Sequence, residues 1–176
     1  MARVTYIEEE RTDDPVIRDA YERMRKKRGK VTNIYKALAH KPEILAAMGP
    51  FVAAVQRPDE LDPKLKERII LRVSMLNHSA YCCHAHEQIS AKMGFTSAEI
   101  AEMGDPQAAQ ISKPEKAALK YAEELTLSPG NIRDATYADL EAHYSESQIV
   151  EITAIAALYN MINRFNEALK LDPEEY

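Results

Sequence analysis

Both cysteines of this 176-residue chain, Cys82 and Cys83, fall in one short stretch with three of its five histidines, His78, His84 and His86. The stretch reads Glu67-x11-Ser79-x-x-Cys82-x-x-x-His86. On a helix, residues four apart stack on one face about one turn apart, so Cys82 and His86 would be neighbours. A thiol becomes a nucleophile when a nearby base or a positive field favours the thiolate. His86 is placed to be that base, and the start of a helix near Ser79 would supply the field.

Four readings of the cluster compete. Cysteine is a small hydrophobe that is often buried and inert, so Cys82 can be pure packing. The ligand types of His78, Cys82, Cys83, His84 and His86 suit zinc. Their spacing does not, because one continuous helix would part His78 and His86 by about 12 Å along its axis. A vicinal disulfide between Cys82 and Cys83 would be strained: adjacent α-carbons stand about 3.8 Å apart, whereas disulfides usually span roughly 4.4–6.8 Å. The fourth reading is a thiol active site of Cys82, His86 and Glu67, with no metal and no cofactor. Glu67 would reach across from the preceding helix to orient the imidazole. Taken alone, Glu67 is better read as a solvated helix residue.

The elements that must carry these residues read as helices throughout. Residues 1–14 look extended and acidic. Pro15 opens a helix that ends near Gly29, and further helices fit Asn33–Ala39 and Pro42–Val55. Asp62-Pro63 is an N-cap followed by proline at the first helical position. The helix it opens keeps Leu65, Ile69, Val73 and Leu76 on one face. The cysteine-bearing helix should begin at Ser79 or Ala80 and stop at Gly94. Thr96-Ser-Ala-Glu99, Ser112-Lys-Pro-Glu115 and Ser145-Glu-Ser-Gln148 match the capping box, each opening a helix. Ser128-Pro-Gly-Asn131 is a turn, and a short helix fits Tyr137–His143. The longest helix runs from Ser145 to about Leu169, with Asp172-Pro173 as its stop. Clear strand alternation is missing, so the chain reads as one all-α domain spanning 1–176.

Composition narrows the function classes. Apolar residues make up 45% and charged residues 29%, as in ordinary globular domains. Neither G-x-G-x-x-G nor G-x-x-x-x-G-K-[ST] occurs, which removes the two commonest phosphate-binding loops. A formal charge of −5 gives no general attraction to nucleic acid. The basic run Arg23-Met24-Arg25-Lys26-Lys27-Arg28 reads as the solvated C-terminal end of a helix, where cations complement the dipole. The N-terminus lacks the apolar core of a secretory signal, and no apolar run reaches the length of a membrane span. Two adjacent cysteines cannot staple a domain through a long loop. A cytoplasmic protein without nucleic-acid or membrane partners is the expectation.

The motif and its surroundings resemble the carboxymuconolactone decarboxylase family, in its alkylhydroperoxidase D-like branch. That branch carries a Glu, then Cys-x-x-Cys, then a His four residues after the second Cys. Here Glu67, Ser79, Cys82 and His86 stand at the matching spacing. Arg68-Ile-Ile-Leu-Arg-Val-Ser-Met-Leu-Asn77 before the motif and Ala91-Lys-Met-Gly-Phe-Thr96 after it also look like the family. So do Asn33-Ile-Tyr-Lys-Ala-Leu-Ala-His40, Tyr121-Ala-Glu-Glu-Leu125 and Asn163-Arg164-Phe165-Asn166.

The resemblance implies an alkylhydroperoxidase D-like helical domain that assembles into symmetric homo-oligomers. It implies a thiol-dependent peroxidase or thiol oxidoreductase with Cys82 as the attacking thiol and His86 and Glu67 as its proton relay. Ser79 occupies the place of the resolving cysteine. A dithiol cycle is therefore replaced by a monothiol cycle on a small hydroperoxide or similar substrate, with Cys82 reduced by an external thiol. The alternatives are a non-redox decarboxylase-like enzyme or a ligand-binding oligomer that keeps the fold.

Overall fold

The computed structural model describes residues 1–174. Among them, secondary structure is helical throughout, with α1 (Pro15–Arg28), α2 (Asn33–Leu38), α3 (Pro42–Gln56), α4 (Pro63–Leu76), α5 (Ala80–Lys92), α6 (Ser97–Ala101), α7 (Lys113–Leu127), α8 (Asp134–Glu141) and α9 (Glu146–Leu169). The starts follow the local chemistry of the chain. Asp14 accepts from Val16 N at 2.8 Å, and Asp62 from Lys64 N at 2.8 Å, each just before a proline. Thr96, Ser112 and Ser145 all form complete capping boxes. Each such cap satisfies backbone N–H groups that a helix cannot satisfy internally.

Three details differ from the sequence-based expectation. The eighth helix begins at Asp134 rather than Tyr137, because the acidic Asp134 suits a first turn without any side-chain cap. The last helix is ended by Lys170 in a left-handed conformation (φ +50°), with Leu171 N donating to Asn166 O at 3.0 Å. The turn closes before Asp172-Pro173 is reached. The N-terminal residues are extended apart from one 3-10 turn at Glu9–Arg11. They lie strapped over the helices: Arg3 N donates to Leu169 O at 2.8 Å, and Tyr21 Oη donates to Ile7 O at 2.7 Å.

α4 is central, packing on α5, α7 and α9. Its surroundings bury Leu65, Ile69, Ile70, Leu71 and Val73, and also Lys66, Glu67 and Arg68. Leu76, expected on the core face, is only half-buried. A helix buried nearly all round must pair its charges. Lys66 binds Glu151 and the carbonyls of Arg57 and Val55. Arg68 reaches Glu115 at 3.1 Å and lies 4.7 Å from the centre of the Phe95 ring. Arg72 pairs with Glu123 at 2.8 Å.

A second, smaller core gathers Ile17, Tyr21, Leu38 and Leu45 from the first three helices. Between the two cores the packing leaves a cavity of about 450 Å³. One of its walls is α3, where Gly49 leaves room for Tyr35: a Cβ there would stand 3.2 Å from the tyrosine oxygen. The next residue, Pro50, lies inside the helix and has no N–H to give the carbonyl four residues back.

Candidate active site

α4 and α5 form an antiparallel pair, and the turn between them makes the site. The chain reverses at Asn77–Ser79, with His78 left-handed at φ +52°. Ser79 N donates to Ser74 O at 3.0 Å, closing the end of α4. Ser79 then caps α5: its Oγ accepts from Cys82 N at 3.4 Å. The reversal turns Glu67 on α4 toward His86 on α5, 19 residues later. Glu67 Oε1 and His86 Nδ1 are 2.7 Å apart, and both residues are buried. Ser90 Oγ donates to the same carboxylate oxygen at 3.3 Å.

The three expected site residues are therefore gathered at one place, with a qualification for each. Glu67 is not a solvated helix residue, for burial and two hydrogen bonds fix its carboxylate. With Nδ1 given to a carboxylate, His86 keeps Nε2 as the nitrogen able to take a proton. Cys82 and His86 both line the cavity but share no hydrogen bond among the described residues. The partner of Cys82 Sγ is Asn166 on α9, whose Nδ2 stands 3.3 Å away. Tyr159, also on α9, sets its ring edge-on to His86, with centroids 5.0 Å apart and planes at 87°. Its phenolic oxygen accepts a hydrogen bond from Gln56 Nε2, which leaves its own proton to donate.

Electrostatics run against a resting thiolate. Burial pushes the Cys82 thiol up to about 11. The polar side chains of Ser79 and Asn166 pull it back down, and the Glu167 charge adds to the rise. Cys82 does lie in the first turn of α5, but desolvation outweighs the field of the helix end. Cys83 is half-buried and likewise raised to about 11, by burial first and then by the Glu87 charge. Burial also holds Tyr159 well above the ordinary phenol range.

The other readings of the cluster can be compared with this geometry. Both cysteines are free thiols. His78 is exposed at the turn, His84 lies 2.8 Å from Gln88 Nε2, and His86 is held by Glu67. Among the described residues, no three His, Cys, Asp or Glu side chains converge as metal ligands would. Ser79 Oγ, besides its capping role, donates to Glu167 Oε1 at 3.0 Å. No described helix is long and apolar enough to cross a membrane.

Asn166, Tyr159 and Ser90 were not foreseen as site residues. A signal for Asn166 did exist. Asn160, Asn163 and Asn166 recur every third residue within a 24-residue helix that is otherwise apolar on its buried side, and all three are buried. Polar side chains repeated on a buried face call for polar partners. Asn163 receives Ser74 Oγ at 3.3 Å, and Asn160 receives Asn77 Nδ2 at 3.0 Å.

Comparison with known proteins gives a consistent picture. A model of the carboxymuconolactone decarboxylase family matches residues 42–124. YdfG of Bacillus subtilis strain 168, an uncharacterized protein, is 34% identical over 59% of this chain and 72% of its own length. YnjA of Escherichia coli strain K12, also uncharacterized, is 27% identical over 74% of this chain and 72% of its own. Among solved structures, the alkylhydroperoxidase AhpD core of a peroxidase-related protein from Ralstonia eutropha JMP134 superposes with a TM-score of 0.87. It is 23% identical and covers 99% of this chain and 93% of its own. The debrominase Bmp8, in a cysteine-to-alanine variant bound to 2,3,4-tribromopyrrole, superposes with a TM-score of 0.84. It is 23% identical and covers 97% of this chain and 91% of its own.

Proposed function

The chain belongs to the carboxymuconolactone decarboxylase family, and from that premise we propose that it is a thiol-dependent peroxidase working through Cys82 in a monothiol cycle. The observation that carries this reading is the position of Cys82 Sγ. It belongs to the wall of a largely apolar cavity, holds an amide donor 3.3 Å away, and shares that wall with an imidazole backed by a buried carboxylate.

Each residue has a role in this reading. The Cys82 thiol gives its proton to His86 Nε2, and Glu67 stabilises the imidazolium. Asn166 Nδ2 donates to the thiolate as it forms. The sulfur attacks the terminal oxygen of a hydroperoxide; an S–O bond forms as the O–O bond breaks. The departing alkoxide takes a proton from His86 and leaves as the alcohol. Cys82 is then a sulfenic acid, and the hydroperoxide has been reduced by two electrons. One external thiol converts the sulfenic acid to a mixed disulfide and water, and a second releases Cys82 and an external disulfide. Ser79 cannot supply the resolving sulfur, so both reducing equivalents come from outside. The reading includes a homo-oligomeric assembly.

The test is turnover of cumene hydroperoxide with a small dithiol reductant. Wild type should reduce the peroxide, Cys82→Ser should not, and His86→Ala and Glu67→Gln should fall by at least about 100-fold. Sulfenic acid trapped at Cys82 by dimedone should be the intermediate. Absence of both turnover and trapped sulfenic acid would reject the peroxidase.

One observation favours a second reading. A thiol raised to about 11 is protonated at neutral pH, as in a protein that keeps the cavity for binding alone. Unchanged Cys82 after prolonged exposure to peroxide would support that alternative.

A further inference from the structure

The basic run at the end of α1 does more than complement a helix dipole. Three of its cations, Arg23, Lys27 and Arg28, line the same cavity as Cys82 and His86. Arg23 and Lys27 are one turn apart, so they share a face of α1. The remaining wall is largely apolar, with Met24, Ile34, Leu45, Met48 and Ile162 among its side chains. No aspartate or glutamate lines the cavity among the described residues. Arg23 pairs with Asp19 on its own helix, whereas Lys27 has no acidic partner among the described residues. Arg23 and Lys27 both reach solvent, yet desolvation by the surrounding wall and then the neighbouring Arg28 charge lower the Lys27 pKa, so its ammonium would gain from an anion beside it. The volume lies in the range of small-molecule sites, roughly 300–1,000 Å³.

We propose that this cavity takes an amphiphilic monoanion, its apolar body between the two cores and its acidic head against Lys27 and Arg23. The inference rests on the peroxidase reading for its chemistry, in which the substrate is a hydroperoxide carried on such a body. The anionic head stays at the cationic side, where its charge meets donors, and the apolar body leaves water for a dry wall. Uncharged hydroperoxides forgo the first contribution. Lys27 and Arg23 are thus specificity-determining residues and take no part in bond breaking.

The experiment measures binding apart from thiol chemistry. Decanoate and decan-1-ol are titrated into the full-length Cys82→Ser protein by calorimetry at low salt. Decanoate should bind about tenfold more tightly than the alcohol, the gain of one charge-assisted contact. In Lys27→Gln and in Arg23→Gln/Lys27→Gln, checked for folding by circular dichroism, decanoate should weaken several-fold while the alcohol is unchanged. Higher salt should narrow the gap in the same way. Equal affinities, no binding of either probe, or decanoate binding indifferent to both substitutions would overturn the proposal. Peroxidase turnover separates the two readings. Cumene hydroperoxide turnover without any decanoate preference removes the anion site and keeps the peroxidase. Decanoate binding without turnover does the reverse.

Discussion

At the residue scale, the problem posed by Cys82 is how a buried thiol ionises. Desolvation is the main force holding it up, with the Glu167 charge adding to it, and the surroundings must lower the thiolate's energy at the moment of reaction. The Asn166 amide is suited to both states. As placed, Nδ2 donates to sulfur; rotated by half a turn, the amide would offer Oδ1 to an S–H. Oδ1 is buried without a partner, so rotation breaks no bond to it. Replacing Asn166 by Ala should raise the Cys82 pKa further and slow its reaction with peroxide by about tenfold, the worth of one hydrogen bond to a charged group. Glu167→Gln should act in the opposite direction, because its charge pushes the thiol up. Iodoacetamide labelling against pH in a Cys83→Ser background, read by peptide mass spectrometry, checks both. Equal profiles for the two variants and the parent would mean that neither group faces the sulfur.

At the element scale, ends and junctions carry the argument. Each capping box is worth about 1 kcal/mol by its N-cap alone, so Ser145→Ala should destabilise the protein by about that amount in urea. The junction of α7 and α8 depends on Glu124. Burial would raise its carboxyl, but the bonds from Arg133 Nε (2.8 Å), Arg133 N (3.0 Å) and Thr136 Oγ1 (2.9 Å) prevail and bring it to about 2. A depressed folded pKa stabilises above the ordinary value of 4.5 and is lost as pH falls toward 2. Wild type should therefore lose more stability than Glu124→Gln between those pH values. Denaturant melts at pH 6, 4 and 3 measure the difference, and parallel losses would count against the Glu124 contacts as the cause.

At the scale of the whole molecule, residues 149–162 are richer in apolar side chains than one buried face of a monomeric helix needs, the pattern of a partner surface. Most of this excess is spent inside the monomer. Ile149, Ile152, Ile155, Ala156, Tyr159 and Ile162 are all buried against neighbouring helices. Large apolar side chains left exposed include Ile44 and Phe51 on α3, Leu127 on α7, and Val150 and Met161 on α9. Apolar side chains scattered singly need no partner, so we propose a homo-oligomer on the family resemblance alone. Sedimentation at micromolar concentration should give a species larger than the 19.9 kDa chain, and Phe51→Glu/Val150→Glu should shift it toward the monomer. A monomer in the unmodified protein would end the expectation.

Local chemistry made much of this protein legible in its sequence. Caps at Asp14, Asp62, Ser79, Thr96, Ser112 and Ser145 are nearest-neighbour interactions, so the helices they open can be read residue by residue. The placement of Cys82 and His86 one turn apart on one helix follows from helical periodicity, and the candidacy of Glu67 from the spacing of a known motif. Three things were decided only by tertiary packing. The first is the ionisation of Cys82, because desolvation depends on what the rest of the chain stacks around it. The second is Asn166, 84 residues from the sulfur that it contacts. The third is the basic end of α1, which joins the site only because the two cores leave a cavity between them. Charge and polarity are written in the sequence, but the distance and dielectric that give them meaning arise from the fold.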